Sequence, residues 1–128
     1  MSRFDYERSI CAQLRSAKGV AFRDVSLENW SLKPADCHEN VRKWADAHPQ
    51  HSAIHGWVIL GGNGGTMLAA HSVVQDENGA LFDITPIKDE DRIRPTMRFI
   101  VHDGDERLFL EMLQEGTRNI IYCPGHSL

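Results

Sequence analysis

The sequence has no apolar run near the roughly 20 residues that a membrane-crossing helix needs. Its opening, MSRFDYERSI, lacks the apolar stretch of a secretory signal. Both absences predict a cytoplasmic protein with no membrane partner. There is no basic excess: 14 Lys and Arg stand against 18 Asp and Glu, a net charge of −4. The cations are dispersed, which excludes the electrostatic footprint of a nucleic-acid binder. Cysteine is scarce, with only Cys11, Cys37 and Cys123 and no C-x-x-C pair. That excludes a dense disulfide framework, and an odd number at wide spacing predicts free thiols in a reducing compartment, at least one of them unpaired within the chain. Repeats and low-complexity segments are absent too. With 41% hydrophobic and 25% charged residues over 128 positions, the chain reads as a single domain, residues 1–128, large enough to bury one core.

What is present divides into helical and extended stretches. Tyr6, Ile10, Leu14 and Ala17 recur at helical spacing before Gly19, predicting a first helix over residues 5–17. VAFRDV is a short candidate strand, and NWSLKPAD, with Pro34, a loop. Asp36-Cys37-His38-Glu39 has the spacing of a capping box, so a second helix starts there and ends before Pro49. Cys37, Val41, Trp44 and Ala45 form its apolar stripe, which turns Cys37 inward at the first turn. From Gly56 the chain becomes extended: GWVIL, a GGNGG tip, TMLAAHSVV, the turn DENG, ALFDIT, a polar KDEDR loop and TMRFIVH. This predicts an antiparallel meander. A capping pattern at 103–106 opens a third helix, RLFLEMLQE, that Gly116 would stop, and NIIYC is a candidate last strand. The fold class is α+β, with the Cys37 helix packed on the meander.

Within the meander, AHSVVQDENGALFDITP places a histidine and an aspartate at strand positions. Glu77-Asn78-Gly79 fits a three-residue hairpin loop closed by a left-handed glycine. Pairing Asp76 with Ala80 sets His71 opposite Thr85 and Asp83 opposite Val73. His71 and Asp83 then share a face as diagonal neighbours, their Cα atoms roughly 7–8 Å apart; a four-residue loop would put them on opposite faces. A carboxylate beside an imidazole fixes the histidine tautomer and supports the imidazolium. Cys37, at a helix start, meets the positive end of the macrodipole, which favours thiolate, while Asp36 opposes it. Cys37, His71 and Asp83 are therefore the candidate nucleophile, base and orienting acid of acyl-transfer chemistry. The plainer alternative makes His71 a half-buried strand residue, Asp83 a turn cap and Cys37 a small core hydrophobe.

The helix opening D-C-H-E-N-V, followed by extended segments carrying AHSVV and LFDITP, resembles the papain-like cysteine hydrolases, nearest the transglutaminase-like and NlpC-type branches. The likeness covers about residues 30 to 86. The block W-x3-P-x2-C-H-x-N-V, with G-W, H-S-V-V and G-x-L-x-D-I-T-P downstream, also resembles bacterial proteins of no known substrate. The resemblance implies Cys37 as nucleophile, His71 as base and Asp83 as orienter, with no cofactor. The glutamine that often precedes the cysteine in papain-like peptidases is missing, and Asn29 is the candidate substitute as oxyanion donor.

Three functions follow. The first is a cysteine hydrolase or acyltransferase of peptidase, amidase or deamidase type, acting on a peptide or protein amide. The second is a non-catalytic binding or immunity-like module that uses the same fold for a protein partner. The third is a metal-binding protein using Cys37, His38 or the histidines at 48, 51 and 55. Against the third, those histidines surround Pro49, off a regular helix, and read as a solvated loop, while His38 reads as an exposed neighbour that tunes Cys37. GGNGG lacks the Lys-Ser/Thr and helix of a phosphate-binding loop. Trp30, Trp44 and Trp57 read as core or cleft wall.

Overall fold

The computed structural model describes residues 2–60, 65–87, 96–114 and 119–125. The GGNGG tip, the KDEDR loop and the Gly116 stop lie wholly or largely outside these residues. Among the described residues the fold is mixed α+β, with three helices, α1 (Arg3–Cys11), α2 (Cys37–Ala47) and α3 (Glu106–Gln114). Six strands among the same residues form a mixed sheet: β1 (Lys18–Phe22), β2 (Ser52–Leu60), β3 (Gly65–Gln75), β4 (Leu81–Asp83), β5 (Met97–Val101) and β6 (Ile120–Pro124). Among the described residues no helix is long and apolar enough to cross a membrane. The chain divides into two compact units, and β2 and β3 each pass from one into the other.

The first unit comprises Met1–Lys18, Gly56–Ala70 and Arg98–Leu128. Ser2 caps α1, its hydroxyl accepting from the Asp5 N–H at 3.1 Å. The helix ends at Cys11 rather than running to residue 17, and Leu14–Ser16 form a short 3-10 turn instead. That turn keeps Leu14 on the side of Tyr6 and Ile10, so all three are buried and the apolar period survives the change of helix type. Here β2 pairs antiparallel with β5 through Gly56↔Val101 and Trp57↔Ile100, and β3 with β6 from Gly65↔Pro124 to Ala69↔Ile120. The core gathers Tyr6, Ile10, Trp57, Leu68, Ile100, Phe109, Met112 and Ile121. Gly56 is demanded by close approach, since a β-carbon there would lie 2.3 Å from the Ile100 carbonyl oxygen.

The free-thiol expectation is corrected in this unit. Cys11 at the end of α1 and Cys123 on β6 form a disulfide, leaving Cys37 as the free cysteine. Two of the three cysteines therefore give no support to a reducing compartment.

The second unit comprises Gly19–His55 and His71–Met97. β3 and β4 form the expected hairpin, with Val74↔Phe82 and Gln75↔Leu81. β1, however, runs parallel to β4 through Ala21↔Phe82 and Phe22↔Asp83, so the sheet is not the antiparallel meander the sequence predicts. Five residues of KGVAF carry no local signal of their partner; long-range packing decides it. α2 starts and stops where expected, and its buried Val41 and Trp44 pack with Val74, Phe82 and Ile84. The capping box does not form. Asp36 makes no side-chain cap, and Glu39 pairs with Arg42 one turn along instead of reaching back.

Asn40 ties the 30–33 loop to α2. Its amide oxygen accepts from the Trp30 indole N–H and the Lys33 backbone N–H, both at 3.1 Å. Its amide nitrogen donates to the Lys33 carbonyl at 2.9 Å and to Thr85 Oγ1 at 3.1 Å. Every hydrogen-bonding position of this fully buried side chain is used. Asn40→Ala is expected to cost about 2–4 kcal/mol, because it strands buried partners as well as removing bonds. Urea unfolding of the variant beside the parent protein checks this, and a loss under about 0.5 kcal/mol would count against the staple.

Candidate active site

The site lies wholly in the second unit, at the start of α2. The hairpin sets its geometry. Asp76 Oδ1 accepts from the N–H groups of Asn78 and Ala80, both at 2.9 Å, and Gly79 takes φ +85°. The Asp76 N–H bonds the Ala80 carbonyl at 2.9 Å. This closes the three-residue loop and fixes the register, with partner numbers as the turn chemistry requires. His71 and Asp83 consequently face each other, with His71 Nε2 and Asp83 Oδ1 at 3.0 Å. Asp83 is fully buried, and the same oxygen accepts from the Thr85 N–H at 3.3 Å.

With Nε2 engaged by the carboxylate, Nδ1 is the nitrogen of His71 available to the sulfur. Cys37 is the first residue of α2, and the rings of His71 and His38 are the groups that act on its thiol. Burial, the largest single influence, pushes the Cys37 thiol up. The bonds from His38 and His71, with the charges of those rings, outweigh burial and bring the thiol down to about 6. For His71, burial acts to lower the imidazole, but the Asp83 and Cys37 hydrogen bonds and their charges raise it to about 9. Between these values the pair is thiolate and imidazolium, a coupled ion pair with the carboxylate behind it. Cys37 is 9% exposed and the His71 side chain 13%, so access to the sulfur is narrow.

His38 is half-buried rather than exposed: its Nδ1 lies 2.5 Å from Ser72 Oγ. On β2, His55 Nδ1 lies 2.7 Å from the same oxygen, and the two rings meet edge to face at 6.0 Å. Ser72 is fully buried. His55, expected in a solvated loop or as a metal ligand, is instead a half-buried strand residue, and Ser72 carried no local signal that would select it. Alternation along a strand turns Ser72 away from His71, yet two consecutive residues of α2 engage two consecutive residues of β3.

The other candidates fall elsewhere. Asn29 is exposed and lines a cavity of about 410 Å³ with Trp30, Lys43, Ala47 and His48, beside the middle and end of α2 rather than its first turn. His48 and His51 do not form a solvated loop. His48 stacks on Trp44 at 3.8 Å between centroids and donates from Nδ1 to the Trp44 carbonyl. His51 accepts from the Trp44 indole N–H at 3.0 Å, and its Nε2 lies 3.1 Å from Glu77. Their rings cover the end of the helix. Among the described residues no group of three or more His, Cys, Asp or Glu side chains is arranged to hold a metal ion. Trp57 and Trp44 are buried in the two cores, and Trp30 lines the cavity beside α2.

No protein-family model matches the chain, and no curated protein or solved structure matches it.

Proposed function

We propose that the chain is a papain-like cysteine hydrolase or acyltransferase in which Cys37 attacks an amide or thioester carbonyl. The observation that carries this reading is the His71–Asp83 pair, closed at 3.0 Å, with the His71 ring acting on the Cys37 thiol at the start of α2. The thiolate adds to the carbonyl carbon, and the oxyanion is received by backbone N–H groups at the start of α2, Asn29 having no place in that turn. His71 gives its proton to the departing amine, leaving an acyl-thioester on Cys37 and a neutral imidazole. The neutral ring then takes a proton from water or from an acceptor amine as that nucleophile attacks, and the thiolate departs. Asp83 holds the ring in the productive tautomer throughout. Substrates of fitting chemistry are a peptide, an isopeptide or a glutamine side chain, and the residues that act need no cofactor.

A second reading, the non-catalytic binding or immunity-like module, is favoured by the burial of Cys37. An activated acyl ester separates the two. Incubated with p-nitrophenyl acetate without reductant, the enzyme releases a burst of one nitrophenolate per chain and carries one acetyl group on Cys37, seen by intact-mass and peptide analysis. A Cys37→Ala variant gives neither. Absence of both burst and adduct in the parent protein would favour the module.

A further inference from the structure

The sulfur has two imidazole neighbours, and the proposed mechanism uses one. The other, His38, is joined through Ser72 to His55 by contacts of 2.5 and 2.7 Å, both to the same hydroxyl. We infer that His55, Ser72 and His38 form a second hydrogen-bond chain whose last N–H is delivered to the Cys37 sulfur, with Ser72 as its positioning residue. The inference rests on the reading of Cys37 as a thiolate nucleophile.

Counting protons gives the chain its direction. Ser72 Oγ carries one hydrogen, and each contact with a ring nitrogen requires one. The hydroxyl cannot donate to both rings, so at least one ring holds a proton on Nδ1. His38 uses Nδ1 for Ser72, which leaves Nε2 to meet the sulfur, and a thiolate accepts but does not donate. A neutral His38 must therefore carry its proton on Nε2 and accept at Nδ1 from Ser72. Ser72 in turn accepts from Nδ1–H of His55. Every donor then points one way: His55 to Ser72, Ser72 to His38, His38 to Cys37. Ser72 is fully buried, so water does not compete for the hydroxyl.

The groups around the sulfur come from four elements. His38 of α2 and His71 of β3 act on it; Asp83 of β4 stands behind His71, and His55 of β2 stands behind Ser72. The two chains do different work. His71 holds the proton the leaving group needs, so it must give it up during each turnover. His38 holds an N–H whose donation is needed while the thiolate is free and is not consumed by the chemistry.

Two measurements test this, one of them on the unaltered protein. Long-range proton–nitrogen NMR of histidine-labelled protein at neutral pH should find His38 with its proton on Nε2 and His55 with its proton on Nδ1. The reverse pair of tautomers overturns the chain. Iodoacetamide alkylation of Cys37 across pH is the second. Ser72→Ala should raise the midpoint by about one unit, since it removes one hydrogen bond's orientation from a charged acceptor, and Ser72→Thr, which restores a hydroxyl, should return it toward the parent value. A purely structural role would alter the plateau rate and leave the midpoint in place, and that result in a folded Ser72→Ala protein overturns the inference. If the parent midpoint itself lies in the ordinary thiol range, the thiolate reading fails. If the parent midpoint is low and Ser72→Ala does not move it, only the second chain fails.

Discussion

Replacing His71 with alanine is expected to cut the thiolate fraction of Cys37 by roughly two orders of magnitude at about pH 6.5, and its alkylation rate by roughly tenfold once the higher nucleophilicity of the weaker acid is counted. In the parent protein the thiol sits at about 6, so most molecules are thiolate at that pH. Two of the influences that hold it there, a hydrogen bond and a charge, belong to His71, while burial pushes the other way. Without the ring, burial is opposed by His38 alone, and the midpoint should climb toward the ordinary range near about 8.5. At about pH 6.5 that leaves on the order of one molecule in a hundred reactive. The same change has the opposite sign at high pH. A thiolate of higher pKa is the stronger nucleophile, with a Brønsted slope of roughly 0.4–0.5, so the variant's plateau rate should exceed the parent's by about tenfold. The two rate profiles therefore cross. Iodoacetamide kinetics from acid to alkaline pH, under non-reducing conditions, read both limbs. Superimposable profiles would show that the ring does not govern the sulfur. Asp83→Ala should move the midpoint in the same direction by less, because the carboxylate acts on the thiol only through His71.

The hairpin that creates this pair was legible because turn chemistry is local. Asp76 and Gly79 each need only their own few neighbours to adopt the conformation found, and a side-chain period of two then settles which residues share a face. The start and stop of α2 were legible for the same reason, although Asp36 and Glu39 do not make the reciprocal cap their spacing fits; Glu39 finds Arg42 one turn along its own helix instead. The extent of α1 was misread because Leu14 is buried by a 3-10 turn as effectively as by a helix, so the apolar period outlasts the structure that usually explains it.

What no local rule could supply was the meeting of distant segments. KGVAF lies parallel to β4 some sixty positions later. Ser72 lies 34 positions from His38 and 17 from His55, in a strand whose alternation argues for turning it away from His71. Asn40 was visible only as a polar residue in a helix, and its value comes from a loop that folds back on it and from Thr85. The sequence thus exposed the residues that could do chemistry through their local settings. It hid the buried polar groups that orient them, since a serine or asparagine becomes informative only when its partners are in place.

Opening the Cys11–Cys123 bond is expected to be the largest single loss of stability available to the chain, about 2–5 kcal/mol. The two cysteines are 112 positions apart, so the bond restrains nearly the whole unfolded chain, and loop-closure entropy places the expected effect toward the upper part of that range. In the folded protein the bond joins the last residue of α1 to β6, where Cys123 is fully buried beside Ile10 and Ile121. Its removal therefore also loosens the packing of the helix on its core. Urea unfolding of a Cys37→Ala protein, which has no thiol to start exchange, should show the midpoint falling by roughly 1–3 M when the bond is reduced. A Cys11→Ala, Cys123→Ala double variant should fall further, since it adds a cavity at the buried position. An unchanged midpoint on reduction would mean that the two sulfurs are not bonded in the folded molecule. Three free thiols would then favour a reducing compartment, whereas a large shift, with one titratable thiol per native chain, favours an environment in which disulfides persist.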